Sequence, residues 1–355
     1  MKRLLIICII TLSIVSITDA QYYNRHTSEN TIELKNGEPL IKEYGTKQLN
    51  ELKLNNKHGF VNVSTWDKEM IRLEVIVNIE TSNEFEAEEI LKLIEFKDRT
   101  YSHKLDFKTV FLDDFFSNYP FTINYTITVP ARLDLTINNS IGDVKIENSL
   151  GQINLTHSYG NLELKNIATD KKHQMNLSFV EGLIDSFGTT IADFSNCTLN
   201  INNGQKVAGS TSYCMASFNN IMSADIKSFT DRLTITKSDS IKLIGSQFIG
   251  KIEQVKTSVF CELDRGKLLV DADESIKKIT ISNKRVNTTL IIPPTISYLI
   301  NGEVFNGTFT HPTPQKLQLF KEDDNVTFSG QIGIETNEPA NIILFNKEAS
   351  ITIKN

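Results

Sequence analysis

Ser140-Ile141-Gly142-Asp143-Val144-Lys145-Ile146, Ser149-Leu150-Gly151-Gln152-Ile153-Asn154-Leu155 and Ser158-Tyr159-Gly160-Asn161-Leu162-Glu163-Leu164 follow one another at a spacing of nine residues. Each reads Ser-x-Gly and then polar, apolar, polar, apolar. That alternation marks a strand with one buried face, with Val144 and Ile146, Ile153 and Leu155, and Leu162 and Leu164 pointing inward. The glycine supplies a turn conformation that a Cβ obstructs, and the serine hydroxyl is placed to hydrogen-bond the turn backbone. Two units make a coil of about eighteen residues with one strand on each side, and such a coil is stable only when stacked on others like it.

The pattern extends in both directions. Upstream, Leu52, Leu54, Val61, Val63 and then Ile71, Leu73, Val75, Val77 and Ile79 alternate with polar residues, broken by the turn Asn55-Asn56-Lys57-His58-Gly59. Asn83 is positioned to cap one helix of about three turns, in which Phe85, Ala87, Ile90, Leu91 and Ile94 fall at helical spacing and the acidic first turns suit the helix dipole. The alternation returns at Ile123, Tyr125, Ile127 and Val129. Downstream the period becomes irregular after Ile167, but strand-turn units continue to Val259-Phe260-Cys261-Glu262-Leu263. Phe187, Phe194, Phe218, Phe229, Phe248 and Phe260 recur along this stretch and are expected to stack in the core. Pro293-Pro294, Asn301-Gly302, Pro312 and Pro314 separate the last strands, which read as a cap over otherwise unpaired edges.

The first twenty residues, with Lys2 and Arg3 before an apolar run from Leu4 to Ile17 and small residues at Thr18-Asp19-Ala20, read as a secretory signal peptide. The run is shorter than the roughly 20 residues a membrane-spanning helix needs. Residues 21–48 are polar and read as an irregular leader. The chain has 37 basic and 43 acidic residues, with the signs interspersed. Nucleic-acid binding, which needs a concentrated basic face, is thereby disfavoured. Cys197, Cys214 and Cys261 remain after signal removal, an odd count that excludes a fully paired disulfide framework. Cys214 follows Cys197 by seventeen residues, close to one coil, so the two are candidates for adjacent coils, and all three cysteines are expected as small buried thiols inside the core.

No chemical motif emerges. Asp143, Glu147, Glu163 and Asp185, with Lys145 and Lys165, are the carboxylates and bases that a polysaccharide lyase or glycosidase would use, yet all fall on outward or turn positions where charge serves solubility. The six histidines show no metal-ligand spacing, and Asp113-Asp114 and Glu322-Asp323-Asp324 lack the alternating ligands of a calcium loop. Nucleotide loops and nucleophile elbows are absent. The sequence therefore implies no catalytic residues, no cofactor and no metal. Asp143, Gln152 and Asn161, the polar residues that follow the three repeat glycines, are the candidate binding positions.

The phrase Thr126-Ile127-Thr128-Val129-Pro130-Ala131 before Leu133-Asp134-Leu135, followed by the glycine-phased repeats, resembles the bacterial "putative adhesin" family over roughly residues 50 to 290. That resemblance implies an exported β-solenoid and carries over no catalytic residues. The expected fold is all-β, a single-stranded, β-helix-like solenoid with a β/α lead-in containing one short helix and a β-rich C-terminal cap. The expected organisation is a signal peptide (1–20), a leader (21–48) and one elongated adhesin-like domain (49–355), divided into lead-in (49–125), solenoid (126–290) and cap (291–355). The expected function is non-enzymatic binding to an envelope protein or glycan in the periplasm, at the cell surface or outside the cell. A polysaccharide-active enzyme and a structural envelope accessory protein are the alternatives.

Overall fold

The computed structural model describes residues 34–333 and 338–355. The expected signal peptide and residues 21–33 of the leader lie outside the described residues. Among the described residues the chain is all-β: 24 strands join in one hydrogen-bonded sheet, accompanied by a short α-helix. Their inward side chains form one continuous hydrophobic core.

The strands repeat by pairing in parallel with the next pass of the chain. Ile153–Lys165 pairs with Asp134–Ile141 through its first half, Ile153 opposite Leu135, and with Val144–Glu147 through its second, Leu162 opposite Val144. Val180–Ser195, Thr198–Ser212 and Met215–Phe229 stack in the same way, with Leu183 opposite Asn200 and Asn200 opposite Ser217. Ser240–Val255 then joins Ser258–Ala272, Leu243 opposite Cys261. Each lap thus adds one segment to a first ladder and one to a second. Register is enforced by the alternation, because a slip of one residue would turn every inward side chain outward. Ile146, Leu164, Ile184, Ile201 and Phe218 stand in one inward column of the second ladder, and all are buried. Burial of each such side chain contributes roughly 1.5–3 kcal/mol.

The nine-residue repeat resolves into two alternating corners. Gly142 and Gly160 stack at the corner between first and second ladders, while Gly151 lies at the opposite one. Gly59, Gly142 and Gly160 all have left-handed φ, and a Cβ on Gly142 would sit 2.3 Å from the Gly59 carbonyl oxygen. The hydroxyl role expected of the serines falls to asparagine instead. Asn139 Nδ2 donates to the carbonyls of Gly142 (3.0 Å) and Gly59 (3.2 Å), and Asn56 Nδ2 donates to Asn139 Oδ1 (3.1 Å). The Ser149 hydroxyl is buried without a partner.

Both ends depart from the simple lap. Glu51–His58 pairs in parallel with Asp134–Ile141, far along the chain, and with Lys104–Phe111 on its other side, while Phe121–Pro130 pairs in parallel with Val61–Trp66. At the far end Lys278–Ile291 skips a long stretch to pair with Ala340–Lys347, with Tyr298–Phe305 beyond. Antiparallel strands then cover the parallel stack: Met70–Ile79 and Ile94–Tyr101 at one end, Asn325–Ile332 and Gln318–Glu322 at the other. Pro39–Gly45, inside the segment expected to be irregular, is a strand that pairs with Met70–Ile79. Its proline and its Lys42 and Glu43 suit an edge.

The helix, Glu84–Leu91, is shorter than its periodicity suggests. Asn83 Oδ1 accepts from the Phe85 amide as expected of an N-cap, and Ala87, Ile90 and Leu91 are buried. Phe85 is exposed and Ile94 begins a strand. The phenylalanines also divide: Phe187, Phe194, Phe218 and Phe248 are in the core, whereas Phe229 and Phe260 are 43% and 36% exposed. Both stand one residue off the inward alternation of their strands.

Candidate binding surface

Outward positions of the second ladder change character along the stack. In the laps of the glycine repeat they are charged and paired: Lys145 Nζ lies 3.0 Å from Glu147 and 3.2 Å from Glu163, and Lys165 also contacts Glu163. The two lysines hold the Glu163 carboxyl below its ordinary range, and the glutamates raise Lys145. A general acid needs the opposite shift. Further along, Lys251 pairs with Glu253 at 2.6 Å.

Between these charged zones lie Thr198, Asn200, Asn202, Met215, Ser217, Asn219, Thr234 and Thr236, uncharged outward positions of three consecutive laps interrupted by Arg232. Their short side chains leave an open depression of about 490 Å³ lined by Glu181, Gly182, Thr198, Leu199, Asn200, Met215, Ser217 and Asn219. Gly182 contributes to it by having no side chain. Its site is inward in register, and a Cβ there would press on Leu199 Cδ2 at 2.8 Å. Leu183 and Met215 add exposed apolar surface nearby. Asn219 Nδ2 donates to Asn200 Oδ1 (2.8 Å) and Asn202 Oδ1 (3.1 Å). The amide NH₂ groups of Asn200 and Asn202 donate to no group among the described residues. An uncharged cluster of amides and hydroxyls can hydrogen-bond a polar ligand without the cost of desolvating a charge.

Asp143 and Asn161 are exposed and adjacent on this same ladder. Asp143 Oδ1 accepts from both the amide (2.8 Å) and Nδ2 (3.0 Å) of Asn161, so each also secures the next lap. Gln152 stands apart on the first ladder, half-buried, its amide donating to Asp134 Oδ1 at 2.7 Å. The depression residues escaped the sequence reading. The available signal was Thr198-Leu199-Asn200-Ile201-Asn202 and Met215-Ala216-Ser217-Phe218-Asn219, two uncharged alternating runs one lap apart.

A second exposed feature is aromatic. At the corner between the ladders Tyr159 stacks on Phe179, with ring centroids 4.9 Å apart and planes 7° from parallel, and Tyr213 meets Phe229 edge-on at 5.6 Å. Of the histidines, His157 and His173 are buried in separate places. His173 Nδ1 accepts from the Ile153 amide while Nε2 donates to the Ala168 carbonyl, and burial lowers the pKa of both rings.

No protein-family model matches the chain, and no curated protein is similar to it. Solved structures are. A putative cell adhesion protein from Clostridium sporogenes is 12% identical, with 90% of this chain and 99% of that one covered and a TM-score of 0.26. Putative adhesins from Parabacteroides distasonis and Parabacteroides merdae are 10% and 12% identical, at TM-scores of 0.37 and 0.36. They cover 72% and 73% of this chain, and 98% of each of those chains is matched. Among the described residues, no helix is long and apolar enough to cross a membrane.

Proposed function

We propose that this chain is an exported, non-enzymatic, adhesin-like β-solenoid of the bacterial envelope, whose second ladder binds an envelope protein or a glycan. Parallel pairing of each lap with the next, as in Glu181 opposite Thr198, Thr198 opposite Met215 and Ser258 opposite Lys278, supports the solenoid. The observation that carries the binding role is the run of uncharged outward positions at the depression, where Asn200 and Asn202, whose NH₂ groups donate to no described residue, stand in place of the ion pairs found further along the ladder in either direction. Asp143 and Asn161 form the margin of this surface, and Gln152 belongs to the other ladder. The apolar run Leu4–Ile17 supports export. An adhesin-like role is also what the resemblance around Thr126–Leu135 implies.

The test is a glycan array and an envelope-protein pulldown with the chain lacking residues 1–20, repeated with Ser217→Lys. Outward lysines are accommodated elsewhere on this ladder, at 145 and 251, so the variant should keep its circular dichroism while losing the captured ligand. A ligand retained undiminished by Ser217→Lys places binding elsewhere. Release of unsaturated sugars from acidic polysaccharides would overturn the non-enzymatic reading.

A further inference from the structure

Cys197 and Cys214 occupy equivalent places on consecutive laps. Each follows a corner residue in the left-handed conformation, Asn196 and Tyr213, and each precedes a paired strand residue, Thr198 opposite Met215. Adjacent strands stand about 4.8 Å apart, inside the Cα separation of roughly 4.4–6.8 Å that a disulfide spans. Both side chains are buried, and their thiols make equivalent bonds on the two laps, Cys197 Sγ donating to the Ser195 carbonyl at 3.2 Å and Cys214 Sγ to the Ser212 carbonyl at 3.3 Å. The backbone of both cysteines is tied into the stack: the Met215 amide donates to the Cys197 carbonyl at 2.9 Å, the Arg232 amide to the Cys214 carbonyl at 2.8 Å, and the Cys214 amide to the Asp231 carboxylate of the next lap at 2.7 Å. In the same column the flanking laps carry Val180 and Asp231, so each sulfur has the other as its one sulfur neighbour in the column. Cys261 is in a different column, between Leu243 and Ile281 on the first ladder, fully buried and with its thiol pushed up to about 12.

We propose that Cys197 and Cys214 form an intramolecular disulfide that fastens two successive laps beside the depression. The bond closes one lap, and the residues that follow the two cysteines, Thr198 and Met215, line the depression itself. The oxidant is a low-molecular-weight disulfide such as glutathione disulfide. One cysteine thiolate attacks it, forming a mixed disulfide and expelling one thiolate. The second cysteine then displaces the other. Across both steps the pair loses two protons and two electrons, and the oxidant's sulfur–sulfur bond becomes two thiols. Burial slows entry of the oxidant into the finished fold, so the exchange belongs to the folding chain.

The full chain is to be refolded from denaturant in glutathione buffers of graded redox poise, quenched with iodoacetamide and digested with trypsin without reduction. Cleavage after Lys172, Lys206 and Lys227 separates the two cysteines. The expected product joins peptides 173–206 and 207–227, with Cys261 alkylated. Alkylation of Cys197 and Cys214 at every oxidising poise, or their linkage to Cys8, to Cys261 or between chains, overturns the proposal. The melting temperature of the folded wild type is expected to rise by a few degrees in the oxidised over the reduced buffer, with no such difference in Cys197→Ser. A linked pair with an unchanged or lowered melting temperature overturns its role as a fastener.

Discussion

The corner between the two ladders is built in two ways. In the early laps it is glycine at 59, 142 and 160, stacked so closely that each would place a Cβ against backbone atoms of the lap beside it. In the later laps Phe179, Asn196, Tyr213, Thr230, Gln247, Arg265, Arg285 and Glu348 occupy the corner, all with φ between 53° and 62°. The polar support inside changes as well. Asn56, Asn139 and His157 line the early corner, whereas Thr211 and Ser228 line the later one and both donate at 2.6 Å to the buried Asp231. The corner can therefore be turned either by a glycine at φ of 110–143° or, one residue earlier in register, by a left-handed residue whose side chain points outward, at a cost of roughly 1–2 kcal/mol per left-handed residue. The second solution lets the corner carry aromatic and charged side chains on its surface, and it erases the Ser-x-Gly signature.

The comparison breaks most sharply at Gly142. Gly142→Ala is expected to destabilise by about 3 kcal/mol or more, read as a lower urea midpoint, because a left-handed φ and a carbonyl contact both oppose the Cβ. A midpoint unchanged from wild type would mean that the early corner has the room of the later one. Asp231→Ala comes next. It strands the Thr211 and Ser228 hydroxyls and the amides of Cys214 and Phe229, and should cost roughly 2–4 kcal/mol.

A smaller effect concerns pH. Burial lowers the pKa of His157 and His173, so as pH falls the unfolded chain takes up protons before the folded one. Their contribution is complete above about pH 6.5 and is lost progressively below it, as the pH falls toward the lowered folded-state values. Melting temperature should therefore fall from pH 7 to pH 5. His157→Asn, which continues the Asn56 and Asn139 column, should flatten part of that slope, and an unaltered slope would assign the acid sensitivity to other groups. Smallest is Thr230→Asn. A β-branched residue is poorly suited to φ 58°, and asparagine should raise stability by about 0.5–1 kcal/mol in the same urea assay.

Alternation at 144–146, 153–155 and 162–164 was legible because burial of every second residue leaves a local trace, and the N-cap at Asn83 was legible because a side-chain oxygen there can accept a first-turn amide. The later corners were not. Nothing in a Tyr, Thr or Arg announces a left-handed backbone, and the outward turn of Phe229 and Phe260 depends on where the strand leaves the corner. The exposure of Asp143 and Asn161 could be anticipated from their place after the repeat glycines. Gln152 could not be told from them, since a period of nine alternates between two corners and a period of eighteen returns to one.

The sequence by itself determined that the chain is β-rich, that its strands have one buried side, and that its most regular turns require glycine, since these follow from local polarity and from the absence of a Cβ. The tertiary structure alone decided which laps become neighbours. At the two ends it brings distant segments into parallel register, Glu51 opposite Asp134 and Lys278 opposite Asn341. Between them, consecutive laps align Cys197 with Cys214 and set Asn200 beside Asn219. Such alignments arise from hydrogen bonding between chain segments far apart in sequence, and only the packed core selects among the registers that local alternation permits.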